Sequence, residues 1–155
     1  MPPAEDRGGR GKAQGGAVLS GGSAVTGRLH VLLVEDDPSV SEMYRVRLEM
    51  DGYRVLVAAD GETGLRLIRE TAPDLVLLDS RLPRLDGAGV LRALRADERT
   101  REQAVVMLSA YDEPRLVREG LGLGALQWLV KSHVTPSELT GVVRRFVTPE
   151  PTPTL

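Results

Sequence analysis

The sequence contains no cysteine and no long hydrophobic run. Without cysteine, the chain forms neither disulfides nor thiolate metal sites. Its apolar stretches are far shorter than the roughly 20 residues that a membrane-spanning helix needs, and no apolar segment follows the charged N-terminus. The net charge of -2 gives no basic excess of the kind that indicates nucleic-acid binding. We therefore expect a cytoplasmic protein that contacts neither membrane nor nucleic acid directly.

Lysine is also scarce. Of the 20 basic residues, two are lysines, Lys12 and Lys131, and the remaining 18 are arginines. Lys131 comes directly after an apolar run that ends at Val130. Lysine has a compact charge on a slim stem, whereas arginine has a wide planar fork, so a narrow site beside an anion favours lysine. The pattern predicts a functional role for Lys131.

The 155 residues suffice for one domain of ordinary size. Residues 1–27 hold eight glycines and no sustained hydrophobic period, which predicts a disordered leader. Residues 148–155 form a Pro-rich tail that is also predicted to be disordered. The folded unit is therefore predicted to span residues 28–147.

Within the folded unit, near-continuous apolar runs alternate with helical patterns. Such runs are typical of strands that helices cover on both faces. The predicted strands are residues 29–35, 54–58, 75–79, 104–109 and 125–130. This alternation predicts an α/β fold with a doubly wound, five-stranded parallel sheet in the order 2-1-3-4-5.

Capping residues mark the starts of several helices. Asp37, Asp60 and Asp86 can each cap a helix, and Thr135 begins a capping box that ends at Glu138. The fourth helix, predicted at about residues 113–121, is the weakest because glycines crowd its end. We expect this fourth helix to be the element that moves most readily.

The predicted strands end in polar residues of several chemical kinds. Carboxyl ends of parallel strands emerge at one edge of the sheet, where open α/β folds bind ligands. Acids, a hydroxyl and an ammonium would share that edge, contributed by Glu35, Asp36, Asp79, Ser109 and Lys131. Crowded carboxylates are costly unless a cation offsets their repulsion, and Mg²⁺ prefers oxygen ligands. The set therefore predicts a site for a phosphoryl group and a divalent cation.

Four stretches resemble the receiver domain of two-component response regulators. They are residues 31–38, 73–87, 105–110 and 128–131, and they occur in the family's order and spacing. The resemblance implies a flavodoxin-like fold of the CheY type and a stand-alone, single-domain receiver. It implies a phosphorylation-activated signalling switch, which modifies itself and is not a turnover enzyme.

The resemblance also implies individual roles at the acidic end of the site. Asp79 would accept a phosphoryl group from a histidine kinase or a phosphotransfer protein. Asp36, Asp79 and the backbone carbonyl of Arg81 would bind Mg²⁺ directly, and Glu35 would act through water. Lys131 would neutralise charge on the transferring oxygens.

The same resemblance implies a switch at the other end of the site. The hydroxyl of Ser109 would bond the new phosphoryl oxygen, and Trp128 would turn inward in response. The face formed by helix 4, strand 5 and helix 5 would change with it. An unknown downstream protein or a second copy of the chain would bind that face.

The sequence departs from the family pattern at three positions. Ser132 stands where most receivers carry a proline in a cis bond, so we expect an ordinary trans peptide there. Arg81 and Tyr111 lie two residues beyond the phosphoacceptor and the hydroxyl residue. Our hypothesis is that these long side chains slow the loss of the phosphoryl group.

Other interpretations stay open. An aspartate-nucleophile phosphohydrolase would also use Asp79 and Mg²⁺, but such enzymes typically carry a second acid where this chain has Arg81. A DNA-binding regulator would need an output domain, which we do not expect because few residues follow the fifth helix. A third alternative is a receiver that acts as a scaffold without phosphorylation. His30 and His133 lack metal-ligand spacing and are predicted to be structural.

Overall fold

The computed structural model describes residues 29–147, so the predicted leader and tail lie outside the described residues. The strands are β1 His30–Val34, β2 Arg54–Ala58, β3 Leu75–Leu78, β4 Val105–Ser109 and β5 Gln127–Val130. The helices are α1 Pro38–Met50, α2 Gly61–Thr71, α3 Gly87–Ala96, α4 Pro114–Gly122 and α5 Pro136–Phe146, with a short 3-10 turn at Lys131–His133. The alternation predicted from the apolar runs is confirmed.

The five strands form one parallel sheet in the order β2-β1-β3-β4-β5. The predicted doubly wound architecture is therefore confirmed. The register pairs Val34 with both Ala58 and Leu78, so β1 and β3 end at the same level. Because of this register, the residues that follow the two strands emerge side by side.

The core has two layers, one on each face of the sheet. On one face, α1 and α5 contribute large buried side chains such as Tyr44, Leu48 and Val143. On the other face, α2 and α3 supply residues such as Ile68 and Leu91. Burial of each such side chain stabilises the fold by about 1.5 to 3 kcal/mol. The central strands are therefore fixed from both sides.

The predicted helix caps are present. Asp37 accepts hydrogen bonds from the Ser39 and Val40 amides, and Asp60 and Asp86 cap α2 and α3 in the same way. Thr135 and Glu138 form the expected reciprocal capping box at the start of α5.

Helix α4 differs from the other helices in how it is held. Its N-cap residue, Glu113, makes no side-chain hydrogen bond to the helix, and Gly120 is its only fully buried residue. A helix with an open N-terminus and little buried side-chain area has few contacts to lose when it shifts. These features support the expectation that α4 is the most mobile element, and its motion stays a prediction.

Two further expectations concern the peptide bond before Ser132 and the lack of a helix that could span a membrane. All peptide bonds among residues 29–147 are trans, as expected where Ser132 replaces the usual proline. Over that described range, none of the helices has both the length and the apolar character needed to cross a bilayer.

Candidate functional site

Three carboxylates meet where β1 and β3 end. Oxygen atoms of Glu35, Asp36 and Asp79 all lie within 4.8 Å of one another. The side chains of Glu35 and Asp79 are buried, with residue exposures of 2% and 6%, whereas Asp36 is exposed. The matched register of β1 and β3 is what brings the acids together, as the sequence predicted.

The ammonium group of Lys131 bridges two of these acids. Its Nζ lies 2.6 Å from Oε1 of Glu35 and donates a 2.9 Å hydrogen bond to Oδ2 of Asp79. Burial lowers the pKa of Lys131, but its hydrogen bonds to Glu35 and Asp79 outweigh this effect and raise the pKa overall. The lysine therefore stays charged at neutral pH.

Glu35 shows the opposite balance. Burial raises its pKa despite the hydrogen bonds from Lys131 and from the Asp37 amide, and the nearby charge of Asp79 adds to the rise. One ammonium thus faces three acids, which leaves the cluster short of positive charge. A divalent cation with oxygen ligands fits this donor set.

The loop after β3 wraps closely around Asp79. The amide of Arg81 donates a 3.2 Å hydrogen bond to Oδ1 of Asp79, so the Arg81 backbone lies against the carboxylate. At Gly87, an added Cβ would lie 2.4 Å from the Asp79 carbonyl oxygen. Sequence reasoning missed the role of Gly87, because only the folded loop shows how closely α3 approaches Asp79.

Ser109 lies on the neighbouring strand and is fully buried. Its Oγ is 2.5 Å from Oγ of Ser80 and accepts a 3.0 Å hydrogen bond from the Tyr111 amide. Ser80 directly follows Asp79, and sequence analysis did not single it out. Its position beside a polar strand end was visible, but its pairing with Ser109 depends on side-chain directions.

Trp128 lies on β5, and its half-buried ring faces α4. Its indole Nε1 donates a 2.9 Å hydrogen bond to the Tyr111 carbonyl. An added Cβ at Gly120 would lie 2.9 Å from the indole ring, so α4 fits against this ring only through a glycine. Trp128 and Ser109 therefore share one partner segment, since each bonds the backbone of Tyr111.

Two residues that depart from the family pattern are stacked on each other. The guanidinium carbon of Arg81 lies 4.4 Å from the centroid of the Tyr111 ring, a cation–π geometry. Tyr111 is 44% exposed, so the pair lies at the surface beside the buried acids. The stack joins the loop after β3 to the loop after β4.

The histidines lie away from the acidic cluster. His30 is at the amino end of β1, the edge opposite the acids, where burial and then the charge of Arg54 lower its pKa to about 4 against the opposing effect of Asp74. His133 is exposed at the end of the 3-10 turn. Neither belongs to the group of acids found among the described residues.

The comparisons with known proteins agree with this architecture. Residues 31–144 match the response regulator receiver domain. The chain belongs to this family, whose members are signalling switches of the phosphorylation type.

Its relatives include regulators from several bacteria. DNA-binding response regulator MtrA of Mycolicibacterium smegmatis is 41% identical over 119 residues, which are 77% of this chain and 50% of that protein. DNA-binding dual master transcriptional regulator RpaA of Synechocystis is 41% identical over 101 residues, covering 65% of this chain and 42% of the relative. The chain thus spans about half the length of the curated relatives it matches.

Solved structures show the same fold. Chemotaxis protein CheY4 of Vibrio cholerae aligns with a TM-score of 0.72 at 29% identity, covering 77% of this chain and 99% of that one. The receiver domain of the response regulator NarL from Mycobacterium tuberculosis aligns with a TM-score of 0.69 at 34% identity, covering 76% of this chain and 94% of that one.

The relatives correct one prediction. We expected no direct contact with nucleic acid, yet the relatives MtrA and RpaA are named as DNA-binding regulators. The expectation was wrong because it was based on the net charge of the 155 residues of this chain. The DNA-binding relatives are about twice as long as the segments that match this chain, so that charge says nothing about the rest of their length. The same relatives give no support to the stand-alone type that we expected.

Proposed function

We propose that Asp79 accepts a phosphoryl group from a histidine kinase or a phosphotransfer protein, and that this modification switches the domain. The observation that carries the proposal is the bridging ammonium of Lys131, which bonds Glu35 and Asp79 beside the exposed Asp36. A carboxylate nucleophile in such a site forms an acyl phosphate. The stacked Arg81 and Tyr111 flank it.

Mg²⁺ is the proposed cofactor. The ammonium of Lys131 contacts only two of the three acids, Glu35 and Asp79, and the oxygens of all three are close enough to share one ion. Asp36, Asp79 and the Arg81 carbonyl would hold the ion directly, with Glu35 acting through water. When bound, Mg²⁺ would neutralise charge on the phosphoryl oxygens.

The side chains of the site divide the remaining work. Asp79 supplies the nucleophilic oxygen, and the loop amide of Arg81 holds the carboxylate in place. Lys131 supplies a fixed positive charge where negative charge develops during transfer. The loss of a bond to Lys131 would leave two buried acids without their counter-charge.

Signal output is proposed to follow from Ser109 and Trp128. Ser109 would donate a hydrogen bond to the phosphoryl group, and the shared Tyr111 segment would carry that change to Trp128. The face of α4, β5 and α5 would then bind a downstream protein or a second copy of the chain. Because the relatives MtrA and RpaA are named as DNA-binding regulators, we propose transcriptional control as the output.

The test is incubation of the chain with Mg²⁺ and acetyl phosphate, followed by intact-mass analysis. We expect wild type to gain one phosphoryl group and Asp79→Asn to gain none. Asp37→Asn is the matched control, because Asp37 is a neighbouring acid that caps α1 and asparagine caps equally well. Labelling that survives Asp79→Asn would overturn the assignment.

We also propose that the chain is not a turnover enzyme. A phosphohydrolase of this kind typically carries a second acid two residues after the nucleophile, and here Arg81 stands at that position with its side chain stacked on Tyr111. The same incubation separates these alternatives through the phosphate released. With p-nitrophenyl phosphate in place of acetyl phosphate, release of many equivalents per protein would favour the enzyme, whereas almost no release would favour the switch.

A further inference from the structure

Ser80 is a half-buried residue directly after Asp79, and its hydroxyl has no role in the proposed chemistry. Its Oγ lies 2.5 Å from Oγ of Ser109, while Asp79, the residue before it, points its carboxylate to Lys131. Ser109 has two partners in this arrangement, the Ser80 hydroxyl and the Tyr111 amide. The hydroxyl proposed to signal phosphorylation is therefore held by its surroundings beforehand.

The chemistry of a hydroxyl allows the Ser109 proton only one acceptor at a time. A serine carries one O–H donor, and the oxygens of a phosphoryl group on an aspartate act as acceptors. To bond such an oxygen, Ser109 has to donate its single proton there, so it can no longer donate that proton to Ser80. A bond in which Ser109 donates to Ser80 is thus made only in the unphosphorylated arrangement.

The surroundings of Ser80 make the release feasible. Ser80 lines a cavity of about 420 Å³ that Met107, Leu116 and Trp128 also border. A hydroxyl at the wall of such a cavity can bond water once its protein partner has left. Breaking the contact therefore does not leave Ser80 without a partner.

Building on the proposed function, we propose that Ser80 is a positioning residue that restrains Ser109 in the unphosphorylated state. A net hydrogen bond of ordinary strength shifts a two-state equilibrium by about two- to tenfold. The Ser80–Ser109 bond therefore lowers the ratio of the active to the inactive arrangement by about two- to tenfold. A substitution at Ser80 would then change the threshold of the switch.

The test uses beryllofluoride with Mg²⁺, which mimics a phosphoryl group on a carboxylate. Trp128 is the only tryptophan in the sequence, so intrinsic fluorescence reports the switch region directly. We expect Ser80→Ala to lower the half-saturating beryllofluoride concentration about two- to tenfold. Ser80→Thr keeps the hydroxyl and is expected to restore the wild-type value, whereas Ser137→Ala, at an exposed position of α5, is the matched control.

A double-mutant cycle separates restraint from a general structural effect. In a Ser109→Ala background, Ser80→Ala is expected to change the half-saturating concentration less than about twofold. An equal shift in both backgrounds, or weaker binding in Ser80→Ala alone, would overturn the proposal. Ser80→Cys keeps the size of the side chain and serves as the second variant if alanine impairs folding.

The design also separates this inference from the proposed function. If the wild-type fluorescence response persists in Asp79→Asn, the proposed phosphoacceptor is wrong. If the response requires Asp79 but Ser80→Ala and Ser80→Cys leave the concentration unchanged, the restraint by Ser80 is wrong and the proposed function stands.

Discussion

The two halves of the site, which lies where the parallel strands end, are held by different kinds of interaction. At the ends of β1 and β3, the buried Glu35 and Asp79 bond to Lys131 through charged pairs. At the end of β4 and within β5, Ser109 and Trp128 make neutral hydrogen bonds. Charged hydrogen bonds are roughly twice as strong as neutral ones. The acidic half is thus fixed for chemistry, and the serine–tryptophan half can rearrange at a small cost.

The helices that cover the two halves differ in the same sense. Helix α1, which follows the acids, buries Tyr44 and Leu48 and has a capped N-terminus. Helix α4 is the one that contacts the Trp128 ring, and it buries only Gly120 fully and has no side-chain cap. The acidic half therefore lies beside a firmly packed helix, whereas the serine–tryptophan half, here called the switch half, lies beside a loosely packed one.

The largest expected effect comes from removing the charge of Lys131. We expect Lys131→Met to slow phosphorylation by acetyl phosphate about 10²- to 10³-fold, because it removes a preorganised charge from the transferring oxygens. Lys131→Arg is expected to restore little, since the planar fork is wider than the ammonium it replaces. Time-resolved intact-mass analysis measures both rates. Rates within about threefold of wild type would show that the acidic half does not depend on this ammonium.

A smaller effect is expected where α4 meets Trp128. Gly120→Ala forces a contact with the indole ring and is expected to lower the free energy of unfolding by about 1 to 3 kcal/mol. Gly122→Ala meets nothing within 4 Å and is the matched control, with an expected gain of about 0.4 to 1 kcal/mol. Urea denaturation measures both. Equal effects of the two variants would contradict the close packing of α4 on the ring.

The smallest expected effect concerns the stack between the two halves. Replacing Arg81 and Tyr111 together by alanine opens the surface beside the acids, so we expect the phosphorylated form to lose its phosphoryl group several-fold faster. The decay of the phosphorylated mass after removal of acetyl phosphate gives the lifetime. Arg84→Ala, in the same loop, is the control, because Arg84 pairs with Asp60 and not with Tyr111. An unchanged lifetime in the double variant would remove any role for the stack.

The sequence predicted the acidic half better than the switch half. Strand ends carry Glu35, Asp79 and Lys131 to one edge, so apolar runs and sheet order suffice to bring them together. The contact between Ser80 and Ser109 depends on side-chain directions in two loops that are far apart in sequence. The stack of Arg81 on Tyr111 could not be predicted for the same reason.

Some boundaries also required the folded chain. The fifth strand was predicted to begin at residue 125, but β5 begins at Gln127. The Ala125 amide bonds the carbonyl of Gly120 at the end of α4, so this residue belongs to the turn. Apolar character alone does not separate a buried turn residue from the first residue of a strand.

Hydrogen–deuterium exchange of the wild-type chain, before and after full phosphorylation by acetyl phosphate, tests the contrast between the two halves most directly. The account predicts changed exchange in peptides that cover residues 109–130 and little change in β1 and β3. It also predicts no change in Asp79→Asn under the same conditions. Altered exchange in β1 and β3 with residues 109–130 unaffected would contradict the account.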